Sequence, residues 1–374
     1  MDVVDQLHAV KSGKLSRRAF SKSLLGVGVG IVAMPYMSRP AGAAAADQAT
    51  YFTWGGYDDP ALFGEYIKKY GEAPNLATFG GSEEALTKMR SGFMVDVSHP
   101  CNADVPRWIA SGLFQPLDTD KLSNWGDVIP ELYQLDGIMV NGQPYMAPFD
   151  WGQTSVTYRT DLFDLEGKEE SWGMLWDERY KGRLAVLASA GDAWWCGAIY
   201  AGVDFKDISS KVGFEKTAEL MRKQRPLIRT YTDDETTLEQ ALASGEIVAA
   251  MTWNSSAVKL KTAGVKVKFA NPKEGALTWV CGAMIRKDAP QMDKAYDIVN
   301  SMLSVETGKW LIGENGYGHS NVKSFAQFTD KQLDELGLNR NPAEVLSTGK
   351  FMSPQSQEFE TSMNQEFEKI KAGF

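Results

Sequence analysis

Few side chains in this 374-residue sequence are equipped for chemistry, and their spacing narrows what it could be. Beyond residue 46 the only histidines are His99 and His319, which excludes a His-rich metal site and leaves few general bases. Three cysteines, Cys101, Cys196 and Cys281, form no C-x-x-C pair and no zinc pattern. An odd number allows at most one internal disulfide and leaves at least one thiol. His99 and Cys101 stand two apart, a spacing that shares one face of a strand and could pair a base with a nucleophile. Pro100 between them favours a loop, and no third orienting group is evident, so an exported hydrolase using Cys101 is a remote reading. Aromatic residues are the richer signal. Trp54, Trp151, the pair Trp194-Trp195, Trp253 and Trp279 each fall just after an expected strand. Ligands of open α/β sheets bind outside the carboxyl ends of strands, and indole faces hold organic cations at about 0.5–2 kcal/mol each. Singly each Trp fits ordinary packing; together they read as a binding cleft. Trp125, Trp172, Trp176 and Trp310 lack that placement and read as packing residues.

The elements that must carry these loops alternate. Gln48–Trp54 has strand character; Asp59-Pro60 reads as N-cap and first turn of a helix running to Gly71. A helix over Ser82–Ser91 precedes a strand over Met94–Ser98, and a helix over Asp104–Ala110 stops at Gly112. Farther on come strands over 184–187, 247–252, 267–270 and 280–285. Helices are expected over 193–201, 214–223, 236–243, 290–303, 306–312 and 355–372. This β-α order implies an α/β protein with a mostly parallel sheet. At 374 residues the length suggests about two domains. No flexible linker separates them, so the chain is expected to cross between two lobes through ordered strands.

Charge is unevenly spread. The formal net charge is -9, but residues 1–46 hold six bases against two acids, so the remainder stands at -13. An acidic body argues against nucleic acid and anionic membranes, which need clustered Lys and Arg. Within the basic segment, Ser16-Arg17-Arg18-Ala19-Phe20-Ser21-Lys22 has the form of a twin-arginine export motif. It precedes an apolar run, Leu24–Met34, and a small-residue stretch, Ala43–Ala46. These are the parts of a signal peptide; the run is too short for a membrane span of about 20 residues. The exported chain is expected to begin near Asp47.

Several segments, in order, resemble the spermidine/putrescine-binding periplasmic protein family, the polyamine receptors of ABC importers. They are Trp54-Gly55-Gly56-Tyr57, Asp96-Val97-Ser98, Pro144–Gly152, Trp176–Leu184, Trp253–Ala257, Pro272-Lys273-Glu274-Gly275 and Asn315-Gly316-Tyr317-Gly318. Together they span most of residues 50–374. The resemblance implies a two-lobed periplasmic-binding-protein fold of type II, each lobe a mixed, mostly parallel sheet flanked by helices. Residues 47–154 with 280–325 would form one lobe, and 155–279 with 326–374 the other. It implies binding without catalysis, cofactor or metal. The partners would be a small cationic or zwitterionic organic solute, an ABC permease and the twin-arginine translocase. The mature protein would be a periplasmic monomer. The ligand set carried over is Trp54, Tyr57, Trp253, Trp279 and Tyr317, with Asp192 where the family binds an amine. Asp150, Trp151 and Trp194 join as neighbours in the same segments. Asp192 also fits a helix N-cap before Ala193. Ser189 and Cys281 stand where the family has aspartates, and Cys101 where it has a serine. A polyamine needs carboxylates at spaced points, because burying an unpaired ammonium is costly. Losing two favours a ligand with one cationic group, or a zwitterion. Cys101 and Cys281 read either as small buried residues or as a disulfide.

Overall fold

A computed structural model describes residues 47–336, 338 and 349–374. The export signal expected over 1–46 lies outside the described residues. Among these, no helix is long and apolar enough to cross a membrane.

The strands are β1 Thr50–Trp54, β2 Asn75–Phe79, β3 Val97–Ser98, β4 Met139–Val140, β5 Gln143–Pro144, β6 Ala147–Arg159, β7 Leu184–Val186, β8 Ile228–Tyr231, β9 Ala249–Trp253, β10 Val267–Phe269, β11 Leu277–Ile285, β12 Gly318–His319 and β13 Lys350–Phe351. β4 and β5 form a separate hairpin. The rest join one mixed sheet in the order β2-β1-β3-β11-β6-β9-β7-β8, with β10 and β12 also on β6 and β13 on β11. Pairing is parallel at both ends, β1 with β2 and β3, and β7 with β8 and β9. It is antiparallel in the middle, where β6 and β11 run alongside each other. These two strands carry the chain from one half of the sheet to the other, as the missing linker implies. The first half is joined at the far end of β11, where Met284 and Ile285 pair with β3. The second is joined through the carboxyl half of β6, where Thr154–Tyr158 pair with β9.

Period-two alternation explains why β11 is buried along its whole length. Trp279, Cys281, Ala283 and Ile285 enter one core with Tyr51, Phe63 and Tyr296. Val280 and Met284 enter another, on the opposite face, with Phe52, Trp108 and Phe325. A third core lies around β7 and β9, where the helix Ala190–Ala201 packs with Trp172, Met251 and Phe367. Leu333 and Leu338 pack with the Phe52–Trp108 core. The C-terminal helix Gln357–Ala372 packs with the third core.

Local signals set the helix ends. Asp59 accepts from the amide of Ala61 at 2.8 Å and caps a 3-10 turn, Pro60–Phe63, that continues as the helix Gly64–Tyr70. It stops at Gly71, whose φ of +81° suits glycine. Asp234 caps Glu235–Ser244 in the same way.

A β-bulge sits at the centre. Cys281 pairs with Asp150 but Gly282 pairs with Pro148, so Phe149 is the extra residue on β6. Gly282 faces that bulge, and a Cβ there would come within 2.7 Å of Pro148 Cα. Backbone cannot swing aside as a flexible side chain does. Gly282→Ala is therefore expected to cost about 1–3 kcal/mol, read by urea denaturation. Gly55→Ala, with open space around its new Cβ, should fall within about 0.5 kcal/mol of the parent.

Candidate functional site

The bulge sets the chemistry of the sheet centre, because it lets two successive residues face one side. Phe149 packs against His99 with ring centroids 4.6 Å apart, and Asp150 reaches the same histidine. Asp150 is completely buried. One carboxylate oxygen accepts from the Tyr57 hydroxyl and the other lies 3.3 Å from His99 Nε2. His99 Nδ1 meets Thr53 Oγ1 at 2.8 Å. Burial first, and then the Asp150 charge, push the Tyr57 hydroxyl well above its ordinary pKa, so it stays a donor. Beside this network, Cys101 and Cys281 face each other across an antiparallel bridge and are joined as a disulfide. Cys196 is the free cysteine, buried in the core around β7.

Aromatic rings line the adjoining positions. Trp279 stands opposite Gly152, and a Cβ on Gly152 would strike the indole, so only glycine lets the ring lie there. Tyr317 meets Trp279 edge-on at 4.9 Å. Its hydroxyl donates to Ser255 Oγ at 3.0 Å, and Ser255 and Ser256 both donate to Glu235 Oε1. Lys259 pairs with Glu235 at 3.2 Å and Glu239 at 3.4 Å. Asn254 bonds the main chain on both sides, accepting from the Gln153 amide and donating to the Gly316 carbonyl. Tyr57, Trp279 and Tyr317 are 9%, 7% and 7% exposed, so the aromatic lining is nearly closed to solvent.

Asp192 lies in the first turn of Ala190–Ala201, where a carboxylate complements the helix dipole. It caps nothing through its side chain: the N-cap position is Ser189, and no side-chain cap bond forms. Asp192 instead accepts from Thr154 Oγ1 at 2.7 Å. Burial pushes its carboxyl up to about 6 and the Asp233 charge adds to the rise, while Thr154 and Trp253 offset part of it. Asp233 accepts from the Ser189 amide at 2.9 Å. Thr154 pairs with Trp253 across β6 and β9, which places that indole beside the carboxylate. Two carboxylates and a Trp face thus share one end of the sheet.

The structure brings Tyr57, Cys101, Asp150, Trp279, Cys281 and Tyr317 around the bulge. Asp192, Trp253 and Ser189 follow one step along β6. Trp54, at the end of β1, packs edge-on against Phe79 at 4.6 Å. Two expected cleft residues are core residues instead. Trp151 is 1% exposed, faces away from Asp150 beyond the bulge, and underlies Gly318, where any Cβ would meet its ring. Trp194 is fully buried against Phe214, since its position in the helix turns it to the core around β7. The remote hydrolase reading needs a free thiol at Cys101. Cys101 is held in the disulfide. His319 takes the Asn321 amide on Nδ1, so its Nε2–H donates to the Met302 carbonyl at 2.9 Å. Burial drives its pKa down to about 4. Glu235, Glu239 and Asp233 escape a sequence reading fixed on aromatics, although Asp234 as a helix cap marks the turn that carries them. An open cavity of about 920 Å³ lies elsewhere, lined by Gln153, Tyr158, Glu170 and Lys268 among others. There Glu170 is neutralised by Lys268 at 2.9 Å, so no spare carboxylate faces it from that position.

Comparison with known proteins gives consistent matches. The family model described as bacterial extracellular solute-binding protein matches residues 78–340. A putrescine/agmatine-binding protein of Pseudomonas aeruginosa is 27% identical over 335 residues, covering 82% of this chain and 87% of that one. A spermidine/putrescine-binding periplasmic protein of Salmonella typhimurium is 23% identical over 358 residues, covering 95% and 99%. Among solved structures, a putative spermidine/putrescine ABC transporter protein from Listeria monocytogenes superposes with a TM-score of 0.77 at 22% identity. It covers 87% of this chain and 99% of that one. The likeness to solved structures establishes the two-lobed periplasmic-binding-protein fold.

Two measurements test this geometry. Between an ordinary 3.8 and about 6 the folded chain holds the Asp192 proton more tightly than the unfolded chain. Stability should therefore fall as pH rises through that window and level off above it. The fall is at most about 3 kcal/mol, less what solvent screens. Asp192→Asn should lose that fall, giving a chain more stable than the parent at pH 7.5 relative to pH 4 in urea titrations. Thiol counting on protein unfolded without reductant should find one reactive thiol, Cys196; three would refute the disulfide.

Proposed function

The chain belongs to the bacterial extracellular solute-binding protein family, and from that premise we propose that it is the exported receptor of an ABC importer for polyamine-like amines or other small organic cations. The observation that carries the reading is Asp192, a carboxylate set between Thr154 and the Trp253 indole with Asp233 close by. A carboxylate whose proton is held up to about 6 by burial gains most from a cation that replaces the missing solvation. The polyamines for which the relatives are named agree with that chemistry. In this reading an ammonium group pairs with Asp192 while Trp253, Trp279, Tyr57 and Tyr317 cover its methylenes. The lobes, 47–154 with 280–325 and 155–279 with the C-terminal part, close by motion at β6 and β11. Ligand shifts the population toward the closed form, which presents itself to the membrane permease. The protein works as a periplasmic monomer, exported by the twin-arginine route, and performs no chemistry on its cargo.

One observation favours a second ligand class, a betaine-like or other zwitterionic solute. The indole Nε1 atoms of Trp54 and Trp279 are buried with no hydrogen-bond partner among the described residues. Buried donors of this kind are costly, and the carboxylate of a zwitterion would satisfy them.

A thermal-shift series with putrescine, cadaverine, spermidine, glycine betaine and γ-aminobutyrate separates the classes. A diamine at about 100 times its Kd should stabilise the chain by about 2.7 kcal/mol and change Trp fluorescence. Diamine affinity should rise as pH increases through about 6 and then plateau, because the cation needs ionised Asp192. Asp192→Asn should weaken it at least 10-fold and flatten that profile. Stabilisation by zwitterions alone would transfer the assignment to the second class. Stabilisation by none of the amines or zwitterions, with a neutral or anionic solute binding instead, would end both.

A further inference from the structure

The floor of the aromatic site holds a set of donors that the solute-binding role does not use. His99, Asp150 and Cys281 each offer one metal-ligating atom, all three mutually within 4.8 Å and all buried. The sulfur of Cys101 is there too, bonded to that of Cys281. We propose that reduction of the Cys101–Cys281 disulfide turns this floor into a binding site for a thiophilic divalent cation of the zinc class, with Cys101 Sγ, Cys281 Sγ, His99 Nε2 and Asp150 Oδ1 as its four ligands.

Geometry supports the assignment. A tetrahedral ion bound at about 2.0–2.3 Å has ligand–ligand edges of about 3.3–3.8 Å. His99 Nε2 and Asp150 Oδ1 already stand 3.3 Å apart. The two sulfurs need only part to the longer edge once their bond is opened. Placement comes from the strands. Cys101 and Cys281 face each other across an antiparallel bridge, Asp150 pairs with Cys281, and the bulge turns its carboxylate toward His99. The outer atoms are already satisfied as ligating groups require: His99 Nδ1 meets Thr53 Oγ1 at 2.8 Å, and Asp150 Oδ2 accepts from Tyr57. The donor set, two thiolates with an imidazole and a carboxylate, suits zinc better than calcium or magnesium, which take oxygen.

The redox balance is simple. A dithiol reductant supplies two electrons and two protons and is itself oxidised to a disulfide. The S–S bond breaks and two thiols form. Metal uptake then releases those two protons, since thiolates are the ligands. The loaded site carries net charge -1: a dication against two thiolates and one carboxylate.

The test uses the purified protein reduced with a phosphine, which does not compete as a thiol ligand, and titrated anaerobically with Co²⁺. One equivalent should bind with thiolate-to-metal charge-transfer absorbance and the strong visible bands of tetrahedral Co²⁺, and Zn²⁺ should bleach both. The oxidised protein should show neither. Cys281→Ser and Cys101→Ser should each lose the charge-transfer pattern of a two-sulfur site, while Cys196→Ser keeps it. His99→Gln, checked for folding by circular dichroism in its oxidised form, should bind at least 100-fold more weakly. Thr53→Val, which removes the partner of Nδ1, should cost about 10–100-fold. Absence of the bands in the reduced parent, their persistence in Cys281→Ser, or unfolding of the reduced parent before it takes up Co²⁺ would each overturn the proposal.

Discussion

A carboxylate with no solvent exposure must find all of its partners inside the protein, because an unpaired buried charge costs several kcal/mol. Asp150 is in that position, and the centre of the sheet is arranged around its needs. Tyr57 arrives from the turn after β1, His99 from the exit of β3, and the Cys101–Cys281 bridge closes the layer between β3 and β11. The bulge at Phe149 makes this possible by aiming Asp150 at groups that a regular strand would have turned it from. Gly282 opposite the bulge, and Gly152 and Gly318 beside it, are places where backbone and indole rings approach too closely for a Cβ.

Two kinds of acid then divide the neighbourhood. Asp150 and Glu235 are tied into fixed networks, Asp150 by Tyr57 and His99, Glu235 by two serines and Lys259. Asp192 has hydroxyl and indole donors but no cation partner among the described residues, and burial, with the Asp233 charge, raises its pKa to about 6. In the proposed reading this difference matters: Glu235 is already offset by Lys259, and Asp192 is left for the ligand's cation. The rings of Tyr57, Trp279 and Tyr317 are nearly closed to solvent, and in the proposed reading a ligand enters as the two halves of the sheet part.

Helices and their ends were legible in the residues because caps and stops are local. Asp59-Pro60 and Gly71 act within one turn. β6 was far less legible. Its thirteen residues include Pro148 and Gly152 and mix Thr, Ser and Gln with apolar positions, so neither a period of two nor a continuous apolar run stands out. It is a strand because both faces are covered by segments distant in sequence. The same distance hid Trp151 and Trp194, whose loop-like surroundings gave no hint of burial, and the meeting of Cys101 with a partner 180 residues away. It also hid Leu333 and Leu338, which pack with the Phe52–Trp108 core.

The sequence settled the class of fold, the likeness to a receptor family, the acidity of the body and the types of residue available to a ligand. All of these rest on composition, short-range order and motif, which survive without coordinates. Which tryptophans are buried in the cores, which cysteines pair, and which carboxylate is held by a threonine hydroxyl were decided by the fold. Each depends on register between strands that are far apart in the chain, and a single extra residue in β6 reverses the side to which the following residues point.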